Sequence, residues 1–422
     1  MYISLRRCAN LKEIKEAVKD ELSLAGLPAS KGASILIKPN LNSNMNALTG
    51  NTTDLRVLAG TIEFLKDSGY YDITIGEGTS SGFYREGINV FSRLMVDRLA
   101  GRYGVKTLDF NHAEAVEINF ENGVRANVAR LCLDADYFIN MPKLKMHFET
   151  MMSVCLKNLI GCLKGVFEKQ KAHASLYRNI LNLNGVIKPD FHIVDCLIAM
   201  EGTGPSSGTP VKTGHLMFTN DPYLGDLAAA RLSGVPYADI PCLSEAHRSG
   251  FITQGHFSSL ESAGINAQRW SLKRPHVNAL VRLVNNPLWQ QYIVSIRLAP
   301  GFSRFFSTRL AGRILNMTGL RQDVFIHEEM QCEGLGLMPE KCAPCSVCKD
   351  YCPVETLDMP ADIGNAGKGC IECLYCYLLC PERAISFRGR PGFLSEQIRQ
   401  YDEVTRRQVT GVYKDPCNAE AL

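Results

Sequence analysis

Eight of the sixteen cysteines in this chain of 422 residues lie in two short runs with the same spacing. The runs, CAPCSVCKDYCP and CIECLYCYLLCP, each follow the pattern C-x2-C-x2-C-x3-C-P. Two-residue spacers let one tight turn present three thiolates, and the proline after the fourth cysteine disfavours regular helix. The pattern predicts two [4Fe–4S] clusters. A pair of zinc knuckles is the alternative, but zinc sites close with four ligands and do not require this duplication.

Residues 335–390, which contain both runs, resemble a bacterial-type ferredoxin domain with two clusters. In such domains the fourth cysteine of each run ligates the other cluster. The resemblance therefore implies one cluster on Cys342, Cys345, Cys348 and Cys380, and a second cluster on Cys370, Cys373, Cys376 and Cys352. It also implies one-electron transfer at low potential and sensitivity to oxygen.

The site to which these electrons would pass must lie in the preceding residues. There, short apolar runs alternate with segments that have a helical pattern. Runs such as SILIK and DITIGEG precede segments with the apolar period of a helix, such as DLRVLAGTIEFLKDSG. This alternation predicts an α/β fold with mostly parallel, open sheets. Ligands of such folds lie outside the carboxyl ends of the strands, so we expect a functional site there.

Four of the predicted strands are followed by segments rich in lysine, glycine, small hydroxyl residues or acids. The residues that we expect to bind an anionic substrate are Lys38, Asn40, Glu77, Lys143, Lys157, Asn158 and Glu201. Lysine suits a carboxylate or phosphate as a point charge, and a helix beginning near Thr150 would add N–H donors. The alternative is that these lysines and acids form ordinary salt bridges.

Two further residues of the segment MPKLKMH are predicted to be catalytic, Lys145 and His147. They alternate with Lys143 and would share one face of an extended chain. His147 is expected to titrate near neutral pH and to donate or accept a proton. The glycine-rich segment GEGTSSG lacks the Walker lysine and the full dinucleotide spacing, so it predicts neither a phosphate loop nor an NAD site.

The motifs LIKPNLN, TIGEGTS, NMPKLKMHFETMMSVCLKNLIGCLKG and AMEGTGPSSG occur in this order. In this respect the chain resembles the family called domain of unknown function 362, which often carries an appended two-cluster ferredoxin domain. The resemblance covers residues 1 to about 240 and again 335–390. It implies a two-lobed α/β architecture similar to that of the nickel-pincer lactate racemases, but it fixes neither the reaction nor that cofactor.

Cys155 and Cys162 are seven residues apart within a predicted helix that begins near Thr150. That spacing would place both thiols on one face of the helix. They could ligate a metal with His147 or form a redox pair, but buried positions in the core are favoured.

The segment between the two parts is basic and rich in aromatic residues, with no Asp or Glu from 262 to 322. It predicts peripheral contact with an anionic membrane surface or a docked partner through 266–322, and an ordinary helical connector is the alternative.

The net charge of the whole chain is only +3, so its overall charge does not indicate nucleic-acid binding. No apolar run is long enough to span a membrane, and the N-terminus lacks signal-peptide features, so we expect a cytoplasmic protein.

These patterns divide the chain into four predicted regions. They are an α/β domain (1–265), a basic helical linker (266–330), a small α+β domain with two clusters (331–390) and a tail (391–422). The predicted function is an iron–sulfur oxidoreductase that exchanges electrons with a soluble low-potential partner and passes them to an anionic small molecule. Two alternatives remain open: an electron-transfer or maturation partner without catalysis of its own, and a non-redox anion-binding enzyme with structural clusters.

Overall fold

The computed structural model describes residues 1–120, 123–205, 207–265, 270–276, 326–343, 345–357, 360–365 and 369–410. Most of the predicted basic linker lies outside these residues, as does Cys417. The predictions made for that linker are therefore not addressed by the structure.

Strands and helices alternate through the first 262 residues, largely where the apolar pattern predicts them. The strands described there are β1 (Ile3–Arg7), β2 (Ile35–Pro39), β3 (Ile73–Glu77), β4 (Lys106–Asp109), β5 (Ala115–Asn119), β6 (Arg125–Ala129), β7 (Tyr137–Met141), β8 (Lys143–His147), β9 (Met151–Ser153), β10 (Phe191–Glu201) and β11 (Thr209–Thr219). The α-helices described there are α1 (Leu11–Leu24), α2 (Leu55–Asp67), α3 (Ser81–Arg85), α4 (Val90–Arg93), α5 (Val96–Tyr103), α6 (Leu131–Asp134), α7 (Cys155–Asn158), α8 (Gly165–Ala172), α9 (Leu176–Val186), α10 (Pro222–Leu232), α11 (Pro241–Arg248) and α12 (Gln254–Ser262).

The central sheet has the strand order β1-β11-β10-β7-β2-β3-β4. From β10 to β4 each strand is parallel to the next, whereas β11 is antiparallel to both β10 and β1. β2 and β7 are buried along their whole length, as expected for the interior of a sheet covered on both faces. The structure thus confirms the predicted α/β fold with a large, mostly parallel sheet.

Helix α1 shows how local sequence signals place an element on this sheet. The side chain of Asn10 accepts a hydrogen bond from the backbone N–H of Glu13 and so caps the first turn. Ile14, Val18 and Leu22 recur at helical spacing and are fully buried, while the opposite face carries charged residues. The apolar stripe therefore fixes which face of the helix packs against the core.

After β7 the chain continues along the sheet as β8. Pro142 lies between the two strands, and both β7 and β8 pair in parallel with β10. β9 then turns back antiparallel to β8. The predicted helix beginning near Thr150 is wrong at its start, because pairing with β8 holds 151–153 as a strand, and only the short α7 and then α8 follow.

Cys155 and Cys162 do not share a helix face as predicted. A 3-10 turn over Leu159–Cys162 separates the second thiol from α7. Cys155 packs in the core below α10, and Cys162 packs in a different core region with Cys132. Both thiols are fully buried, which is the alternative that the sequence favoured.

The C-terminal part contains a two-stranded antiparallel sheet and short helices. Its elements are β12 (Gln331–Leu337), β13 (Ile385–Arg390), α13 (Val347–Asp350), α14 (Tyr375–Leu379) and α15 (Leu394–Thr410). Helices α13 and α14 occupy equivalent places in the two cysteine runs. Each begins after a residue with positive φ, Ser346 at 58° and Leu374 at 60°. The two runs are therefore repeated in backbone conformation as well as in spacing.

This C-terminal part packs directly against the α/β domain. The guanidinium of Arg56 lies 4.0 Å from the ring centre of Tyr351, and the backbone N–H of Leu55 donates to the hydroxyl of Tyr375 over 3.3 Å. The backbone N–H of Asn46 donates to the side chain of Gln397 over 2.8 Å. Contacts from the segment 46–56 thus join the two parts.

A candidate site at the carboxyl ends of the parallel strands

The lysine at the end of β2 is neutralised within the protein. Lys38 Nζ lies 2.9 Å from Glu77 Oε2, and both side chains are almost fully buried. Glu77 also accepts hydrogen bonds from the backbone N–H groups of Leu41 and Gly78. A Cβ on Gly161 would lie 1.9 Å from Glu77 Oε1, so a glycine at that position leaves room for the pair. Lys38 and Glu77 thus form a buried ion pair.

Lys143 is neutralised in the same way by an acid that the sequence analysis missed. Its Nζ lies 2.9 Å from Asp195 Oδ2 on β10, and both side chains are completely buried. Asp195 also accepts from the backbone N–H groups of Asp54 and Leu197. Asp54 in turn pairs with Arg56 at 2.8 Å, and although burial acts in the opposite direction, this arginine lowers the pKa of Asp54. Two cations and two anions therefore balance each other in the core.

Lys145 is surrounded by neutral oxygen atoms instead of a carboxylate. Its Nζ donates to Asn40 Oδ1 at 2.8 Å, Asn42 Oδ1 at 2.7 Å and the carbonyl oxygen of Asn51 at 2.7 Å. Burial and then the nearby Lys157 lower the pKa of Lys145. Three acceptors, one for each N–H, oppose that effect and favour the ammonium form.

Asn40 and Asn158, both predicted site residues, belong to a buried chain of amides beside Lys145. Asn40 Nδ2 donates to Asn158 Oδ1 at 2.8 Å, and Asn158 Nδ2 donates to Asn140 Oδ1 at 2.7 Å. Each amide is oriented by its neighbour, so the oxygen of Asn40 is held toward the lysine. This network links the ends of β2 and β7 to α7.

His147 and Lys157 form the outer part of the site. Lys157 Nζ lies 3.0 Å from His147 Nε2, and the backbone N–H groups of Glu149 and Thr150 point at His147 Nδ1 over 3.1 and 3.4 Å. Burial and then Lys157 lower the pKa of His147 well below its usual value. The expectation that His147 titrates near neutral pH is therefore wrong, because its surroundings disfavour the imidazolium.

Glu149 and His173 are a second pair that the sequence analysis missed. Glu149 Oε1 lies 3.1 Å from His173 Nδ1, and the histidine is 37% exposed. Although burial acts against it, His173 lowers the pKa of Glu149 to about 2. The pair therefore places a negative charge near Lys157 and reaches the surface. The predicted helix does not begin at this turn. The backbone N–H groups of the turn donate to His147 Nδ1 instead.

Glu201, the remaining predicted site residue, has a separate role at the end of β10. Its Oε2 accepts from the backbone N–H of Lys273 at 2.9 Å, and its Oε1 lies 3.3 Å from Lys273 Nζ. Through these contacts with Lys273, Glu201 holds the segment 270–276 against the end of β10. Hydrogen bonds join Asn40, Lys145 and Asn158 in one network, whereas the Lys38–Glu77, Lys143–Asp195 and His147–Lys157 contacts are separate pairs and Glu201 contacts a different segment.

The eight cysteines of the two runs line two separate cavities. The first has Cys342, Cys345, Cys348 and Cys380 in its wall. The second has Cys352, Cys370, Cys373 and Cys376 in its wall. Cys345 is exposed, whereas Cys348 and Cys352 are buried. Among the described residues, no three His, Cys, Asp or Glu side chains stand close enough together to hold one metal ion.

Comparison with known proteins supports part of the resemblance seen in the sequence. The model of the family described as domain of unknown function (DUF362) matches residues 35–231, which include all the predicted site residues of the α/β domain. A thylakoid-associated protein of Synechocystis is 27% identical over 240 residues, which make up 52% of this chain and 68% of that protein. Among the described helices, none has both the length and the apolar character needed to cross a membrane.

One solved structure with partial similarity is the lactate racemase apoprotein from Thermoanaerobacterium thermosaccharolyticum. It superposes with a TM-score of 0.35 and 13% sequence identity, over 50% of this chain and 53% of its own. The matched part therefore spans about half of that protein.

Proposed function

We propose that this protein is an iron–sulfur oxidoreductase whose two [4Fe–4S] clusters pass single electrons to a small anionic substrate at the ends of the parallel strands. The observation that carries this proposal is the composition of the two cysteine-lined cavities. Cys380 belongs to the second run but lines the cavity of the first, and Cys352 does the reverse. This exchange is the ligand pairing of two-cluster ferredoxins.

The composition of the two cavities suits clusters better than single zinc ions. A structural zinc site closes around one ion with four ligands and does not require two cysteine runs to exchange a ligand. Each cavity here is lined by three cysteines of one run and one cysteine of the other. Their remaining walls are mostly apolar and include Leu337, Val347 and Ile363 in the first and Leu335, Val354 and Leu357 in the second. Such walls limit the access of water, and exposure to water is one determinant of the reduction potential of an iron–sulfur cluster.

The repeated backbone conformation of the two runs supports a ferredoxin-like domain in the C-terminal part. In our proposal this domain is appended to an α/β domain of the DUF362 family, whose model matches 35–231. The two-lobed architecture and the boundaries 1–265, 266–330, 331–390 and 391–422 remain predictions. Contact of 266–322 with a membrane surface also remains a prediction. The name of the thylakoid-associated relative supports it, because it describes a protein associated with a membrane.

The contacts between the two parts indicate which cluster would deliver electrons to the site. Asn46 Nδ2 donates to the carbonyl oxygen of Cys373 at 3.5 Å, so the second cavity lies beside the segment 40–54. The same segment supplies Asn42 and the carbonyl group of Asn51 to Lys145. The first cavity instead includes the exposed Cys345. We therefore place the external electron partner at the first cluster and the substrate beyond the second.

The charges of the site favour an anion at Lys145. Lys38 and Lys143 are paired with buried carboxylates and contribute no net charge. Lys145 has neutral acceptors only, so its ammonium charge is not compensated by its hydrogen-bond partners. Since its three N–H groups are already used, an anionic substrate nearby would be attracted by the charge itself, at a distance and in a site of low dielectric constant.

Anaerobic reoxidation of the dithionite-reduced protein tests this function. Small anionic oxidants should restore the oxidised absorbance spectrum of the wild type. In Lys145→Met the rate should fall about tenfold or more, since the variant loses the charge that attracts the anion, and about 1.4 kcal/mol corresponds to a factor of ten. The matched control is Lys12→Met, at a side chain that is 85% exposed, and it should react like the wild type.

Equal rates in Lys145→Met and the wild type, with both holding their clusters, would contradict an anion site at this lysine. Reoxidation only by a protein partner, and by no small molecule, would support the second candidate function, an electron-transfer partner without catalysis of its own.

A further inference from the structure

The hydrogen-bond donors around His147 determine which of its ring nitrogens carries the proton. Two backbone N–H groups, those of Glu149 and Thr150, point at Nδ1. Nδ1 must therefore be the acceptor, and a neutral imidazole then carries its proton on Nε2. The atom opposite Nε2 is Lys157 Nζ at 3.0 Å. Since Nε2–H is a donor, Nζ must accept, and only a neutral amine has a lone pair for this.

Lys157 also differs from the other three lysines of the site in its surroundings. Lys38 and Lys143 face carboxylates, and Lys145 faces three oxygen atoms, all with less than 2% exposure. Lys157 is only partly buried, and the hydrogen bond described for its Nζ goes to a histidine nitrogen. Among the residues that the structure describes, no oxygen atom accepts a hydrogen bond from Lys157 Nζ, and this lysine also has access to the outside.

The charged and titratable groups that face Lys157 determine how readily its amine becomes neutral. They are His147 and Lys145 from β8, Glu149 from the following turn and Cys242 from α11. Burial lowers the pKa of Lys157 to about 8, although the negative charge of Glu149 acts in the opposite direction. At neutral pH about one-tenth of this amine is then neutral, roughly two hundred times the neutral fraction of an exposed lysine with a pKa of about 10.4, and the neutral form that accepts from His147 predominates above about pH 8.

We propose that Lys157 is a nucleophilic amine that forms an imine with the carbonyl group of a small oxo acid, whose carboxylate is drawn to Lys145. This deepens the proposed function, because it rests on the proposed anion site and names its substrate class. A neutral lysine amine is the form that condenses with carbonyl substrates. Lys145 and His147 are two residues apart on β8 and share one face of that strand, and Lys157 Nζ lies 3.0 Å from His147 Nε2, so the two lysines lie near one another, as a compound with adjacent carbonyl and carboxylate groups requires.

The proposed condensation needs no oxidant or reductant. The Nζ lone pair leaves its hydrogen bond with His147 and attacks the carbonyl carbon, and the π electrons move to the oxygen. In the adduct the nitrogen carries a positive charge and the oxygen a negative charge, and a proton passes from Nζ to that oxygen. The Nε2–H of His147 lies beside the reacting nitrogen and can donate a hydrogen bond to the oxygen during this transfer. The carbonyl oxygen then leaves as water with the two amine protons, and a C=N bond remains.

Reductive trapping of the full-length protein tests this inference. The protein is incubated with glyoxylate and cyanoborohydride from pH 6 to 10, and carboxymethylated peptides are quantified by mass spectrometry. Lys157 should be modified at least about tenfold faster than Lys12 at neutral pH, with a rate that rises to half its maximum near pH 8. Lys157→Arg should lose this modification and retain that of Lys12.

A Lys157 that is modified no faster than Lys12, or only above about pH 10 like an ordinary lysine, would overturn the inference. Trapping does not require electrons from the clusters. A labelled Lys157 in a protein without iron would therefore contradict the electron-transfer proposal alone, whereas unlabelled Lys157 in a protein with both clusters would contradict only the imine.

Discussion

Replacing Cys380 by alanine should remove the cluster of the first cysteine run and leave the cluster of the second run in place. Cys380 is the last cysteine of the second run, but it shares a cavity with Cys342, Cys345 and Cys348. A [4Fe–4S] cluster needs its four protein thiolates, so the loss of one ligand should reduce occupancy of that cavity strongly.

Four single variants make this prediction specific. After dithionite reduction, the electron paramagnetic resonance spectra of Cys380→Ala and Cys345→Ala should show the same remaining cluster. The spectra of Cys352→Ala and Cys370→Ala should show the other. If Cys380→Ala instead matches Cys370→Ala, each run binds its own cluster, and the exchange of fourth ligands between the cavities is contradicted.

Replacing Asp195 by alanine should destabilise the α/β domain by about 3–5 kcal/mol, because it leaves a buried charge without its partner. Lys143 would lose its carboxylate, and the backbone N–H of Asp54 would lose its acceptor. The measurement is the free energy of unfolding in urea at neutral pH. The matched control is Asp20→Ala, which removes an exposed pair with Arg6 and should cost less than about 1 kcal/mol.

A double variant separates the charge from the packing. Lys143→Met combined with Asp195→Leu removes both charges and keeps the core filled, so it should recover most of the lost stability. An Asp195→Ala variant that unfolds at the wild-type urea concentration would show that the pair contributes little. In that case the four balanced charges would not determine the stability of this core.

Much of the α/β domain follows from its apolar pattern. The runs that become β2, β3, β7 and β10 are short, apolar and separated by helical periods, which leaves few architectures other than a parallel sheet. The gathering of Lys38, Asn40, Lys145 and Asn158 follows as well, since the carboxyl ends of parallel strands meet at one edge.

The partners of the lysines were harder to predict, because a sequence pattern does not show which side chains meet across strands. Asp195 did carry a signal, since it is the one acid within the apolar run FHIVDCLIAM. A carboxylate in a fully buried strand requires a cation or several donors. The same argument could have predicted that Lys143 pairs with a buried carboxylate.

The helix predicted to begin near Thr150 starts later than expected, because strand pairing continues beyond Pro142. That proline interrupts hydrogen bonding at one residue only, and the chain pairs with β10 again as β8. The apolar residues that follow have helical spacing, but pairing of Met151 with His147 holds the first of them as β9. Tertiary pairing therefore overrode local periodicity at the residues that bring Lys157 to His147.

Analysis of iron, zinc and acid-labile sulfide in the anaerobically purified, full-length protein tests the central claim most directly. Two [4Fe–4S] clusters predict about eight iron and about eight sulfide per chain, and a spectrum of two interacting centres after reduction. Two zinc ions per chain without sulfide would contradict the claim, and the cysteine-lined cavities would then be structural zinc sites.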